Sequence, residues 1–160
     1  MKQLLERIEK EIRPIFDNDS TGHDFYHLKR TQKIALNLQK KEGGDKLVIA
    51  VAALLHDLHR IFEYQGKKYC TPKESLPRIR EILQKVRFPE DKIEQVLHCI
   101  EYHEEYSFTK EGKTVNDIET LILQDADNLD AMGAMGIIRA FMYSGAHNRP
   151  AYVPEIPIKD

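Results

Sequence analysis

Leu47-Val48-Ile49-Ala50-Val51-Ala52-Ala53-Leu54-Leu55-His56-Asp57 is a run of nine apolar residues closed by an imidazole and a carboxylate. A segment apolar on every side has no wet face, so it reads as an element buried all round, a helix before a strand. Ending it in His56 and Asp57 is costly, because a buried carboxylate must be paired, hydrogen-bonded or metal-bound. A helix C-terminus also disfavours the negative charge of Asp57, since the backbone dipole is negative there. A nearby cation removes both difficulties.

Working outward, His27 lies upstream and Asp127 downstream, the latter within Gln124-Asp125-Ala126-Asp127-Asn128-Leu129, both in helical contexts. Two imidazoles and two carboxylates can hold one divalent ion. Each member also has a plainer reading: His27 as a core-edge histidine, the doublet as a helix terminus, the aspartates as a solvated helix end. Helical spacing does not choose between Asp125 and Asp127, since Asp125 continues the stripe of Ile118 and Ile122 while Asp127 lies one turn after Leu123. As a set, these donors suit a six-coordinate ion such as Mn²⁺, Mg²⁺ or Fe²⁺ and not a structural zinc, which usually recruits cysteine. Four protein ligands leave room for water and substrate oxygens, where the ion polarises a phosphoryl group and acidifies water.

The rest of the chain reads as helix after helix. Leu4, Leu5, Ile8, Ile12 and Ile15 recur at helical spacing over residues 2–16. A second helix over 24–41 stops at Gly43-Gly44, and Asp45 can cap the apolar helix, expected over 46–59. Gln65-Gly66-Lys67-Lys68 reads as loop. Thr71-Pro72 opens a helix to about residue 87, with Pro77 bending it or delaying its start. Helices over about 90–104 and 115–129 follow, with a turn at 109–113 between them, and a Gly-containing apolar segment spans 131–143. The Pro-containing stretch 148–160 has no helical period. No window alternates with period two. The expectation is one all-α domain of six to seven helices over 1–147, with the metal site between helices.

Composition agrees with this. At 160 residues, 41% hydrophobic and 31% charged, the chain is long enough for one well-filled core. A net charge of −2 gives no broad basic surface for nucleic acid. No apolar run spans a bilayer, and the N-terminus reads as a charged amphipathic helix, not a signal peptide. Cys70 and Cys99 read as a surface thiol and a helix thiol. Together these features predict a cytoplasmic protein.

His27, then Ala53-Leu54-Leu55-His56-Asp57, then Asp125-Ala126-Asp127-Asn128-Leu129 resembles the HD superfamily of metal-dependent phosphohydrolases. The longer stretch through Asp130-Ala131-Met132-Gly133-Ala134-Met135-Gly136 is similar to a subgroup of small HD hydrolases, and the likeness covers about residues 20–145. It implies a helical domain whose ion is bound by His27, His56, Asp57 and Asp127, with Asp125 as second choice. Many HD enzymes carry an acidic residue or a lysine at the position of Arg60; an arginine fork would hold phosphate oxygens, its plain reading being a surface side chain. His103 resembles the histidine that HD enzymes with two metals supply from this helix, but the preceding helix has no partner histidine, with Glu74 as a partial substitute. One ion is therefore expected, and His103 becomes a substrate-facing or proton-transfer residue. His23 and Asp24 match a His-Asp pair just before the first ligand in the subgroup, to be read as a substrate contact or, plainly, as an N-terminal capping segment. His98 and His59 read as structural and helix-end residues. Longer members continue past the equivalent of Asp160.

These readings predict a phosphohydrolase that cleaves a phosphomonoester or a nucleotide phosphoanhydride by attack of metal-bound water, with a nucleotide as the first candidate for its small phosphorylated substrate. The alternatives are a non-catalytic metal- and nucleotide-sensing module and, further off, an oxygenase of the same fold. Homo-oligomer formation is compatible with all three.

Overall fold

The computed structural model describes residues 1–105, 115–150 and 152–155, which contain eight α-helices, one 3₁₀ turn at Glu90–Lys92 and no strand. The helices are α1 (Lys2–Phe16), α2 (Phe25–Glu42), α3 (Lys46–Leu55), α4 (Leu58–Gly66), α5 (Pro72–Lys85), α6 (Ile93–Tyr102), α7 (Ile118–Asp130) and α8 (Gly133–Ala146). The expected turn at 109–113 lies outside the described residues.

Local chemistry sets several boundaries. Asp24, Asp45 and Asp117 each accept a backbone N–H of the first turn they precede, from His27, Leu47 and Thr120 respectively. Glu74 reaches back to both the backbone N–H and the hydroxyl of Thr71, fixing the start of α5 at Pro72. Pro77 lies inside α5 without delaying its start. Gly43 closes α2 at φ 91°, a backbone state that costs a side-chain-bearing residue.

α3 is the centre. Its residues from Val48 to Leu55 are all fully buried, and it packs against α1, α2, α6 and α7. Around it close Ile8, Ile12 and Phe16 of α1, Ile79 and Leu83 of α5, and Ile93 and Ile100 of α6. α8 is different, because none of its residues is buried.

The helix expected over 46–59 is in fact two, which raises the count above the six to seven expected. α3 ends at Leu55, His56 is its C-cap, and Asp57, at φ −94° and ψ 14°, starts α4. This break changes the electrostatics of Asp57. The carboxylate stands at the N-terminus of α4, where the dipole favours negative charge. The polar loop expected at 65–68 is shorter, since α4 runs to Gly66. Neither thiol is on the surface: Cys70 and Cys99 are both buried.

Leu83 is fully buried against this core. Leu83→Ala should cost about 2–5 kcal/mol, read as a lower urea midpoint at unchanged slope.

Candidate metal centre

Three parts of the chain carry the predicted ligands to one place: α2 brings His27, the α3–α4 break brings His56 and Asp57, and α7 brings Asp127. His27 Nε2 lies 3.0 Å from Asp57 Oδ2, 3.3 Å from His56 Nε2 and 3.5 Å from Asp127 Oδ1. His56 Nε2 lies 3.4 Å from Asp57 Oδ2 and 3.7 Å from Asp127 Oδ1. The two imidazoles are fully buried, and Asp57 nearly so. Asp127 turns inward from α7, whereas Asp125 is exposed.

The other ring nitrogen of each histidine fixes what Nε2 can offer. His56 Nδ1 donates to the Ala53 carbonyl at 3.0 Å. His27 Nδ1 donates to Asp130 Oδ2 at 2.8 Å. A carbonyl or a carboxylate only accepts, so Nδ1 carries a proton, and in the neutral ring Nε2 presents a lone pair inward. Asp57 Oδ2 correspondingly has no hydrogen-bond partner, although His27 Nε2 is 3.0 Å away. Two acceptors face each other there. Such a cluster needs positive charge among its atoms.

The protonation equilibria express the same need. Burial alone would lower His56, but Asp57 and Asp127 outweigh it and carry the imidazole up to about 10. Burial alone would raise Asp57, yet His56 and His23 hold its carboxyl well below the usual range. Asp127 is pulled down to about 2, against its burial, by His56 and His27. A divalent ion supplies this charge in place of the proton, and two imidazoles with two carboxylates form a fitting donor set for it.

Behind the ligands stands a buttress that the sequence reading missed. Asp130 is buried; besides His27 it accepts Arg30 Nε at 2.7 Å and Arg139 Nη1 at 3.2 Å. Arg139 also donates to the Gly22 carbonyl at 2.8 Å and approaches His27 Nε2 at 3.4 Å. Both residues left a trace in the sequence. Asp130 lies three after Asp127, hence on the same helical side, and Arg139 is the one charged residue in 131–143.

The remaining predicted residues fall in different places. His23 Nδ1 meets Thr21 Oγ1 at 2.8 Å, and its ring stands edge-on to His27 and Tyr143. Asp24 caps α2 through the His27 N–H, so it positions a ligand's backbone. Arg60 is held between Glu63, at 3.0 Å, and Glu104, so its fork is already occupied by carboxylates. His103 is fully buried beside His56, with ring centroids 5.2 Å apart. Burial and the His56 charge push His103 down to about 4. In the neutral ring Nδ1–H is donated to the Ile100 carbonyl at 2.7 Å and Nε2 offers a lone pair. His59 lies in the first turn of α4 and is fully buried, whereas His98 is half-exposed and paired with Asp117 at 3.0 Å.

Two adjoining clefts open beside this cluster, and the smaller reaches Asp127. One of about 520 Å³ is lined by Thr21, His23, Asp127 and Arg139. The other, of about 820 Å³, is lined by Tyr64, Lys67, Lys68, His147 and Arg149. Arg60 and Tyr143 line both. In the larger one Tyr143 and His147 stack at 4.1 Å, and the Arg149 guanidinium lies 5.6 Å over the Tyr143 ring.

With this geometry in place, comparison with known proteins gives a consistent answer. The HD domain family matches residues 24–132, from the cap of α2 through the Asp127 segment. The chain belongs to the HD domain family. It is 34% identical over 160 residues to the Bacillus subtilis protein YpgQ, covering 97% of this chain and 74% of that one. Among solved structures it resembles a Lactobacillus plantarum protein with a TM-score of 0.79 at 28% identity, covering 100% of this chain and 71% of that one. An HD-superfamily hydrolase from Bacillus thuringiensis matches with a TM-score of 0.66 at 33% identity, covering 98% and 72%. YpgQ in complex with ADP matches with a TM-score of 0.66 at 29% identity, covering 94% and 72%. Among the described residues, no helix is long and apolar enough to cross a membrane.

Three outcomes test the site. Asp127→Asn should weaken Mn²⁺ binding strongly in calorimetry while Asp125→Asn leaves it unchanged; the reverse ranking would move the ligand by two positions. Asp130→Asn should weaken it about 10–100-fold, the usual cost of losing the partner of a ligating histidine. Acid sensitivity follows from the depressed carboxyls. Burial would raise Asp130, but His27 and Arg30 hold it well below the usual range. Its folded value thus lies below its unfolded one, so its stabilisation is present above about pH 4 and lost as pH falls. Urea midpoints of metal-free protein should drop between about pH 5 and pH 2, with a shallower drop in Asp130→Asn.

Proposed function

We propose that this HD-family protein is a divalent-metal-dependent phosphohydrolase acting on a nucleotide, at a phosphomonoester or phosphoanhydride bond. One observation carries the reading: the cluster of His27, His56, Asp57 and Asp127 lies beside clefts that combine fixed positive charge with stacked aromatic faces. Guanidinium and ammonium groups recognise phosphate oxygens. Exposed aromatic rings suit the flat face of a base. The complex of the similar YpgQ with ADP supports the same ligand class.

His27, His56, Asp57 and Asp127 are the residues that would hold the ion, which supplies Lewis acidity and an acidified water when bound. The chain's own groups do the rest. Nδ1 bonds to Ala53 O and Asp130 keep the two imidazoles aimed inward, so that each neutral ring would present its Nε2 lone pair to the ion. Arg139 brings charge to the mouth beside His27 and is the better-placed phosphate-holding group. Arg60, held by Glu63 and Glu104, marks the junction of the two clefts and orders their shared wall. His23, at the rim between His27 and Tyr143, is placed to touch substrate. Tyr143 and His147 offer the stacking surface.

The test is a turnover screen of the full chain with Mn²⁺, Mg²⁺ and Fe²⁺ against nucleoside mono-, di- and triphosphates and simple phosphomonoesters. Release of phosphate or pyrophosphate that needs the ion and rises with pH is the expected result. Absence of turnover on every compound, with metal bound, would favour a nucleotide-sensing module instead. Arg139→Ala, assayed at saturating metal, should reduce kcat/KM by about two orders of magnitude, roughly 3 kcal/mol of transition-state stabilisation.

A further inference from the structure

α8 carries an apolar stripe that is turned to solvent. Ala134, Ile137, Ile138, Phe141, Met142 and Gly145 recur at spacings of three and four, so they share one side of the helix. All six are exposed. Arg139, Tyr143 and Ser144 lie on the other side and line the clefts. In the single chain α8 is held on that inner side, by Arg139 to Gly22 and Asp130 and by Tyr143 to Glu63. An apolar stripe of this spacing ordinarily faces a core.

Its size is that of half an interface. Ile137, Ile138, Phe141 and Met142, with Met135 beside them, are 36% to 61% exposed. At about 200 Å² for the full surface of such residues, they present roughly 500 Å² per chain. That is near the upper end, about 600 Å², of the largest apolar patch on a typical monomer. Two such faces together would bury about 1,000 Å², the size a specific protein interface must reach.

Charge and symmetry select a second copy of this chain as the occupant. Arg139 is the one charged residue between 131 and 146, and it points inward. The stripe therefore offers nothing to a charged partner, and it lacks the basic margin that holds a surface helix to lipid headgroups. Side-chain sizes along it also read the same from either end. Small Ala134 and Gly145 stand outermost, Ile137 and Met142 next, and Ile138 and Phe141 in the middle. A two-fold axis requires a self-complementary face of this kind. We propose that two copies of the chain pair through this stripe, α8 antiparallel to α8. With the axis between residues 139 and 140, Ala134 meets the partner's Gly145 and Ile138 meets the partner's Phe141. Pairing braces the wall of both clefts from behind, because the same helix carries Arg139 and Tyr143 on its inner side. The inference rests neither on the metal nor on the bond hydrolysed.

The experiment is sedimentation velocity with light scattering on the full chain, from micromolar to near-millimolar concentration. The wild type should pass from monomer to dimer over that range. Ile138→Glu combined with Phe141→Glu should raise the dissociation constant by about two orders of magnitude, the scale of losing two central anchors. Helical content by circular dichroism should not change, since both side chains are exposed in the single chain. Ala134→Cys combined with Gly145→Cys should give a covalent dimer on mild oxidation, the native Cys70 and Cys99 being buried. Ala134→Cys alone should not, because antiparallel pairing sets the two equivalent residues roughly 16 Å apart along the helix axes. A wild type that stays monomeric throughout would overturn the proposal and leave the stripe to a different partner. A dimer indifferent to the two glutamates would overturn it as well. Cross-linking by Ala134→Cys alone would overturn the antiparallel pairing. The wild-type concentration series decides the matter even where a variant fails to fold.

Discussion

In every imidazole of the buried cluster a hydrogen bond on the far side engages Nδ1 and leaves Nε2 facing a carboxylate. Ala53 O, Asp130, His56 O and Ile100 O each take the Nδ1 proton of one ring. What remains inside is a concentration of lone pairs and negative charge that a folded protein tolerates only with compensation. In the metal-free chain, a proton on His56 supplies it. A multivalent ion does so with directional bonds as well, which is why the same residues that burden the fold can serve a function.

The scaffold follows from that constraint. α3 has no face to spare for solvent, so its end is held by packing on four other helices. The chain then breaks at His56-Asp57 and restarts as α4, which brings both side chains of the doublet to face His27 and Asp127. Asp57 gains from this break, since the N-terminus of a helix tolerates a carboxylate better than the C-terminus does. Arg60, three residues on, stands between Glu63 and Glu104, and its charge offsets theirs at the margin of the cluster.

The all-helical architecture was legible in the sequence because its signals are local. Apolar periodicity placed α1 and α2, glycine closed α2, and Asp45 and Thr71-Pro72 marked the starts of α3 and α5. The break within 46–59 was not legible, because the apolar run and the doublet share one helical pattern and only tertiary contacts separate them. His27, His56, Asp57 and Asp127 were singled out beforehand and lie together. Spacing alone left Asp125 open; in the structure Asp125 faces solvent while Asp127 faces His56. His59, Asp130 and Arg139 were passed over for one reason. Their importance comes from partners far along the chain, His103 for His59, His27 for Asp130, and Gly22 and His27 for Arg139. No local window contains those pairs.

α8 forms one wall of the clefts yet buries none of its residues, whereas α3 buries eight. Such a contrast divides the molecule by opening free energy. Amide protons in α3 can exchange with solvent only when the whole domain unfolds; those in α8 can exchange by fraying of a single element held chiefly through polar contacts of Arg139 and Tyr143. The ligand cluster and the wall above it thus belong to different cooperative units. A molecule bound in the clefts would slow exchange in α8 and leave α3 unaffected, so occupancy can be followed amide by amide without any chemistry taking place.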